Sequence, residues 1–123
     1  MPDDASKPTS LSASLSDQSS SERREVPRHP FIASAEETDL ASGARLSARV
    51  SELSLRGCYL DTLNPFPEGT QIRLVIFHGG VTFTVHATVV YPQSNMGMGV
   101  VFSAVESEQM EVLTKWLSEL SSK

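Results

Sequence analysis

Three arginines stand close together near residue 25, and their chemistry suits a ligand that carries phosphate or planar rings. Arg23, Arg24 and Arg28 lie in one six-residue segment with a single acidic residue. A guanidinium group pairs bidentately with a phosphate or with the O6/N7 edge of guanine, and its flat face stacks on a base. Two or three such groups on one short segment can clamp a guanine nucleotide. The simpler alternative is a solvated basic linker in front of a domain.

A second cluster, Glu52-Leu53-Ser54-Leu55-Arg56-Gly57, lies between two predicted strands. The Glu52 carboxylate can accept hydrogen bonds from two guanine N–H groups, and the Ser54 hydroxyl can donate to a phosphate. Gly57 allows a ligand to approach the backbone, and Arg56 is a further candidate phosphate partner. The simpler alternative is an ordinary turn that ends in a glycine with positive φ.

The remaining reactive side chains do not form a catalytic or metal-binding pattern. His29, His78 and His86 are far apart in the sequence and lack the spacing of a helical metal site. Cys58 is the single cysteine, and its apolar neighbours predict a buried, inert thiol. We therefore expect no enzyme activity, no metal and no cofactor.

The composition sets the domain organisation. Residues 1–21 contain eight serines and few large apolar side chains, which predicts a disordered acidic tail. Residues 22–123 are then long enough for one small domain. No apolar run approaches the length of a membrane span, and no secretory signal is evident, so we expect a cytoplasmic protein. The net charge of −5 argues against binding to nucleic acid polymers.

The elements that must position both clusters are mostly strands. Period-two patterns predict about six of them, at Phe31–Glu36, Arg45–Val50, Cys58–Leu60, Thr70–Phe77, Val81–Tyr91 and Gly97–Phe102. Pro92 predicts the end of the fifth strand, and Gly79-Gly80 predicts a hairpin before it. An apolar stripe over residues 107–121 predicts an amphipathic helix, with Met110, Leu113, Trp116, Leu117 and Leu120 on its inner face. The expected fold is a small, mainly antiparallel β-barrel with one C-terminal helix.

Taken together, the motifs resemble those of the PilZ domain family. An Arg-x-x-x-Arg segment precedes the first strand, an acidic-x-Ser-x-x-Gly turn follows about 25 residues later, and Gly99-Val100-Val101-Phe102 resembles the last strand of the family. Arg24 and Arg28 match the first motif, and Arg23 matches an additional arginine often found before it. Ser54 and Gly57 match the second motif. Glu52 stands where Asp or Asn is usual, and its additional methylene extends the carboxylate by roughly 1.5 Å.

The resemblance implies a six-stranded barrel that binds the bacterial second messenger cyclic di-GMP without catalysis. We expect binding to order residues 22–30 against the barrel and to change contacts with an unidentified downstream protein. The expected assembly is a monomer or a weak dimer. One alternative is a protein-interaction adaptor that has lost or weakened the ligand site. Another is a small barrel that binds single-stranded nucleic acid, but the aromatic residues mostly occupy predicted core or loop positions.

Overall fold

The computed structural model describes residues 26–121, which form six strands and one helix. The elements are β1 His29–Asp39, β2 Arg45–Leu53, β3 Gly57–Asp61, β4 Gln71–His78, β5 Val81–Gln93, β6 Gly97–Phe102 and α1 Ser107–Ser121. Each predicted strand is found, although β1 and β2 are longer than their patterns predict. The expected tail, residues 1–21, lies outside the described residues.

The six strands close into a barrel in the order β1-β2-β3-β6-β5-β4, and every neighbouring pair is antiparallel. Closure pairs the first strand with both β2 and β4, so the sheet has no free edge. The β4–β5 hairpin turns at Gly79 and Gly80, whose φ angles are 60° and 77°. Positive φ at both central residues matches the twist of a hairpin and favours glycine there. The predicted hairpin is confirmed.

Alternation along β5 illustrates how the barrel interior is filled. Four of its side chains are buried at every second position, namely Phe83, Val85, Ala87 and Val89. Val81 is predicted on the same face but is exposed, because it lies beside the hairpin turn at the end of the barrel. The prediction that Pro92 ends the strand is wrong. β5 continues to Gln93, and Pro92 pairs with Met98 just after the register shift between Val89 and Tyr91. Proline within a sheet is usually confined to edges and to bulges of this kind, because it lacks the N–H of the ladder.

The C-terminal helix packs against β5 and β1. Leu113 and Trp116 are buried, and the other members of the predicted stripe are partly buried against the same core. The Trp116 ring centroid lies 5.4 Å from that of Phe31 and 6.2 Å from that of Phe83, which joins the helix to both strands. The predicted amphipathic helix is therefore confirmed. It is too short and too polar to cross a lipid bilayer, and it is the only helix of residues 26–121.

Candidate functional site

The connection between β2 and β3 is held by the Ser54 hydroxyl. Ser54 Oγ accepts hydrogen bonds from the backbone N–H of Gly57 at 3.2 Å and from that of Arg56 at 3.3 Å. It donates to the Gly57 carbonyl at 3.2 Å, and the Ser54 backbone N–H donates to the same carbonyl at 2.9 Å. Because Ser54 is buried, these contacts satisfy polar groups that water does not reach easily. This serine therefore shapes the turn.

Gly57 is required by close strand packing rather than by backbone conformation. A Cβ atom at this position would lie 2.1 Å from the carbonyl oxygen of Val100 on β6. The φ angle of Gly57 is not among the positive ones, so the alternative of a positive-φ turn glycine is wrong. The absence of a side chain brings β3 against β6 at the point where the turn ends.

Arg28 lies beside this turn because β1 begins next to the end of β2. His29 pairs with Leu53, and Pro30 pairs with Glu52. One guanidinium nitrogen of Arg28, Nη1, is 3.6 Å from Glu52 Oε1, and the two side chains remain 53% and 43% exposed. The two clusters that the sequence singles out therefore meet at Arg28 and Glu52. Such an exposed ion pair contributes at most about 1 kcal/mol, so a ligand can displace it at low cost.

A groove of about 460 Å³ opens on the outer face of the barrel at this meeting point. Five of the predicted site residues line it, namely Arg28, Glu52, Ser54, Arg56 and Gly57. Arg56 is exposed, and its backbone carbonyl accepts a hydrogen bond from the Phe102 N–H. Two arginines against one glutamate give the charged side chains of the groove a net charge of +1. The other two predicted residues, Arg23 and Arg24, lie outside the described residues.

The groove has a second wall, whose residues were not predicted from the sequence. Tyr59, Val90, Tyr91, Gly99 and Val101 also line the groove, from β3, β5 and β6. The available signal is the run Val89-Val90-Tyr91, which breaks the strict alternation of β5. The register shift at this run turns two consecutive side chains outward, as a β-bulge does.

Two tyrosines of this wall differ in their surroundings. The Tyr59 hydroxyl donates a hydrogen bond to Gln93 Oε1. Partial burial, with the nearby carboxylate of Asp61 and the hydroxyl of Tyr91, raises the pKa of Tyr59, so this phenol stays neutral. Tyr91 has 61% of its surface exposed.

Cys58 lines the groove but is not a reactive thiol. Its side chain is buried, and burial raises its pKa far above the ordinary range, with a smaller effect from the Glu37 carboxylate. Burial therefore disfavours the thiolate form that attack or metal binding requires. Within residues 26–121 no three side chains of His, Cys, Asp or Glu are grouped as metal ligands would be.

Comparison with known proteins identifies domains related to this barrel. The PilZ domain family model matches residues 22–119. The PilZ domain with c-di-GMP of YcgR from Escherichia coli has a TM-score of 0.68 and 17% identity, covering 82% of this chain and 93% of that chain. The PilZ domain of CeSA from a cellulose synthesizing bacterium has a TM-score of 0.62 and 13% identity, with coverages of 77% and 98%. No curated protein matches the chain.

Longer proteins share the same fold. The complex of MrkH from K. pneumonia with c-di-GMP has a TM-score of 0.69 and 16% identity, covering 81% of this chain and 53% of that chain. The chain thus spans about half the length of that protein. The family match extends over most of the sequence, and the closed six-stranded barrel agrees with it. This chain belongs to the PilZ domain family.

Proposed function

We propose that this chain is a non-catalytic cytoplasmic receptor for cyclic di-GMP, in a domain that begins near residue 22. The observation that carries the proposal is the meeting of Arg28 with the Glu52–Gly57 turn in one outward-facing groove. The guanidinium of Arg28, the carboxylate of Glu52 and the absence of a side chain at Gly57 suit a ligand with guanine edges and phosphates. The YcgR and MrkH structures were determined with c-di-GMP, which supports the same ligand class here.

The proposed roles follow from the geometry of the free groove. Arg28 exchanges its partner Glu52 for phosphate or a guanine edge, and Glu52 then accepts from the guanine N–H groups. Arg56 adds positive charge at the turn, while Ser54 and Gly57 keep the turn and strand β3 in place. Arg23 and Arg24 complete the clamp in this proposal. His29 and Pro30 pair with β2 before any ligand is considered, so the proposed ordering of residues 22–30 by the ligand does not depend on forming these two pairs.

The output of this receptor is a changed surface for an unidentified downstream protein. A domain without catalytic groups can signal only through its contacts, and ligand capture brings the arginine segment against the barrel. We propose that the free protein is a monomer or a weak dimer.

Isothermal titration with cyclic di-GMP tests the receptor proposal. The unmodified chain should bind, and Arg28→Ala should lose at least tenfold in affinity because it removes a charged contact. Arg73→Ala is the matched control, since Arg73 is an exposed arginine on β4, outside the groove. Absence of binding heat at high ligand concentration, with a folded protein, would overturn the proposal.

A second candidate function is a protein-interaction adaptor that does not respond to the ligand. The Arg28–Glu52 ion pair favours it, because the carboxylate already partners one clamp arginine in the free protein. A folded chain that gives a silent titration and still binds its partner protein would select this function.

A further inference from the structure

A second concave surface, the hairpin–helix cleft, lies between the β4–β5 hairpin and α1. Phe102, the last residue of β6, pairs with Ala87, so β6 does not extend along the part of β5 nearer the hairpin. The helix packs against β5 there, and the Thr84 N–H donates a hydrogen bond of 2.8 Å to Gln109 Oε1. The cleft has a volume of about 410 Å³, and none of the residues that line it lines the ligand groove.

The inner part of this cleft is apolar and aromatic. Trp116 and Val112 line it from the helix, and Val81 lines it from the hairpin with 43% of its surface exposed. The His78 ring centroid lies 5.5 Å from that of Trp116. Gly79 leaves the hairpin side open, because a Cβ atom there would have no neighbour within 4 Å. The cleft can therefore bury further apolar surface against a partner.

The charged side chains that line the cleft are mostly acidic. Three glutamates and one lysine line it from α1, namely Glu108, Glu111, Lys115 and Glu119. They are spaced three or four residues apart, which places them on one face of the helix over about 16 Å. Three negative charges against one positive charge give this face a net charge of −2. Within residues 26–121 neither Glu108 nor Glu111 takes part in an ion pair.

We propose that the hairpin–helix cleft docks a basic segment of the downstream protein. Lys or Arg side chains of that segment pair with the glutamates, and an apolar side chain packs on Val81 and Trp116. Charge complementarity selects a cationic partner and disfavours nucleic acid and anionic lipid surfaces. The apolar inner part distinguishes the cleft from a merely solvated helix face, because interfaces place apolar contacts at the centre and polar groups at the rim. This inference gives the receptor of the proposed function its contact surface, and it rests on that function.

Strand β1 connects the cleft to the ligand groove. Arg28 lines the groove, and Phe31, three residues later, has its ring centroid 4.5 Å from that of His78 and 5.4 Å from that of Trp116. Phe31 lies where the register of β1 against β2 shifts. A displacement of Arg28 by the ligand therefore reaches the inner part of the cleft through packed side chains. We expect the ligand and the partner to change each other's affinity.

The fluorescence of Trp116, the only tryptophan of the chain, measures docking. The probe is a synthetic amphipathic peptide of lysine and leucine, added to the full chain without cyclic di-GMP. It should change the emission saturably, and the same peptide with glutamate in place of lysine should not. The double variant Glu108→Gln, Glu111→Gln should bind the lysine peptide about three- to tenfold more weakly, because two exposed ion pairs are lost.

The matched control is the double variant Glu36→Gln, Glu68→Gln, which removes the same charge from exposed positions outside the cleft. It should bind the lysine peptide normally, and equal losses in the two double variants would overturn the docking site as unspecific attraction. Val81→Ser tests the apolar contact and should weaken binding about three- to tenfold. Leu63→Ser, at a position 69% exposed and outside both the cleft and the groove, should not.

Titration of the lysine peptide with and without saturating cyclic di-GMP separates this inference from the receptor function. The ligand should change the affinity for the peptide at least about fivefold, and the peptide should change the affinity for the ligand by the same factor. Equal peptide affinity in both states would overturn the connection through β1. Ligand binding by a chain with no saturable response to the peptide would overturn the docking site and leave the receptor function standing. Specific peptide docking by a chain that does not bind the ligand would overturn the receptor function and leave the cleft as a docking site.

Discussion

Glu52 faces Arg28 in the free groove, and the same carboxylate is the proposed acceptor for guanine. The distance between Arg28 Nη1 and Glu52 Oε1, 3.6 Å, is that of a loose and exposed ion pair. A pair of this kind contributes little to stability. Glu52 as an acceptor for the ligand and Glu52 as a competitor for Arg28 predict opposite effects on ligand affinity when the side chain is removed.

If Glu52 accepts from the ligand, Glu52→Ala should weaken cyclic di-GMP binding about ten- to a hundredfold, as expected for the loss of a hydrogen bond to a charged group. Glu52→Asp keeps the acceptor pair and should retain binding. Titration calorimetry measures both. The control is Glu36→Ala. Glu36 is on β1, and its exposed carboxylate lies 4.0 Å from Arg45 on β2. Tighter binding by Glu52→Ala would contradict the acceptor role and identify the carboxylate as a competitor for Arg28.

The β2–β3 turn is the element that fixes where the groove lies. Its geometry depends on the Ser54 hydroxyl, which is hydrogen-bonded to the backbone of Arg56 and Gly57, and on the close approach of Gly57 to Val100. The motif residues Ser54 and Gly57 are therefore accounted for by folding alone, before any ligand is considered. The sequence motif indicates a site, but two of its members act by holding the element that carries the site.

Ser54→Ala tests whether the serine acts by holding the β2–β3 turn. Loss of the hydroxyl leaves the N–H of buried Gly57 without its acceptor, so the free energy of unfolding should fall by about 1–3 kcal/mol. Urea unfolding measures the change, and Ser34→Ala, at an exposed position of β1, should have little effect. Unchanged stability together with lost ligand binding would show that the serine acts on the ligand instead.

At the scale of the whole molecule, the barrel interior contains one carboxyl group among apolar side chains. Glu37 is 0% exposed on the inner face of β1, where its register partners are Leu46 and Leu74. Neither carboxyl oxygen has a hydrogen-bond partner among residues 26–121. Burial, and to a smaller extent the charge of Glu36, raises the pKa of Glu37 from 4.5 to about 7. The folded protein therefore holds a proton that the unfolded chain releases.

This proton makes global stability depend on pH. The folded state binds more protons than the unfolded state between pH 4.5 and 7, so the free energy of unfolding falls as pH rises through this window. The full penalty above pH 7 is about 3 kcal/mol. Urea unfolding of Glu37→Gln should lack this loss between pH 5 and pH 8. Glu68→Gln, at an exposed loop position, should behave like the unmodified chain, and equal pH dependence in all three would contradict the assignment.

The six strands and their positions along the chain, the hairpin, the helix and the two charged clusters could all be predicted from the sequence. Each of these depends on local patterns: period-two alternation, paired glycines, a helical stripe and the spacing of arginines. Boundaries were less predictable, since β1 extends to Asp39 and β5 passes Pro92. Pairing with both neighbours in a closed barrel extends strands beyond the range that their own residues indicate.

Which side chains are neighbours in space was decided only by the tertiary structure. The approach of Arg28 to Glu52 and the burial of Glu37 depend on strand register, and the exposure of Tyr91 in the groove depends on the bulge in β5. Register joins residues as distant in the chain as Gly57 and Val101, and no local pattern encodes it. The sequence by itself determined which chemistry was available, because side-chain type is local. The fold determined where that chemistry meets, because the barrel closes through contacts between distant strands.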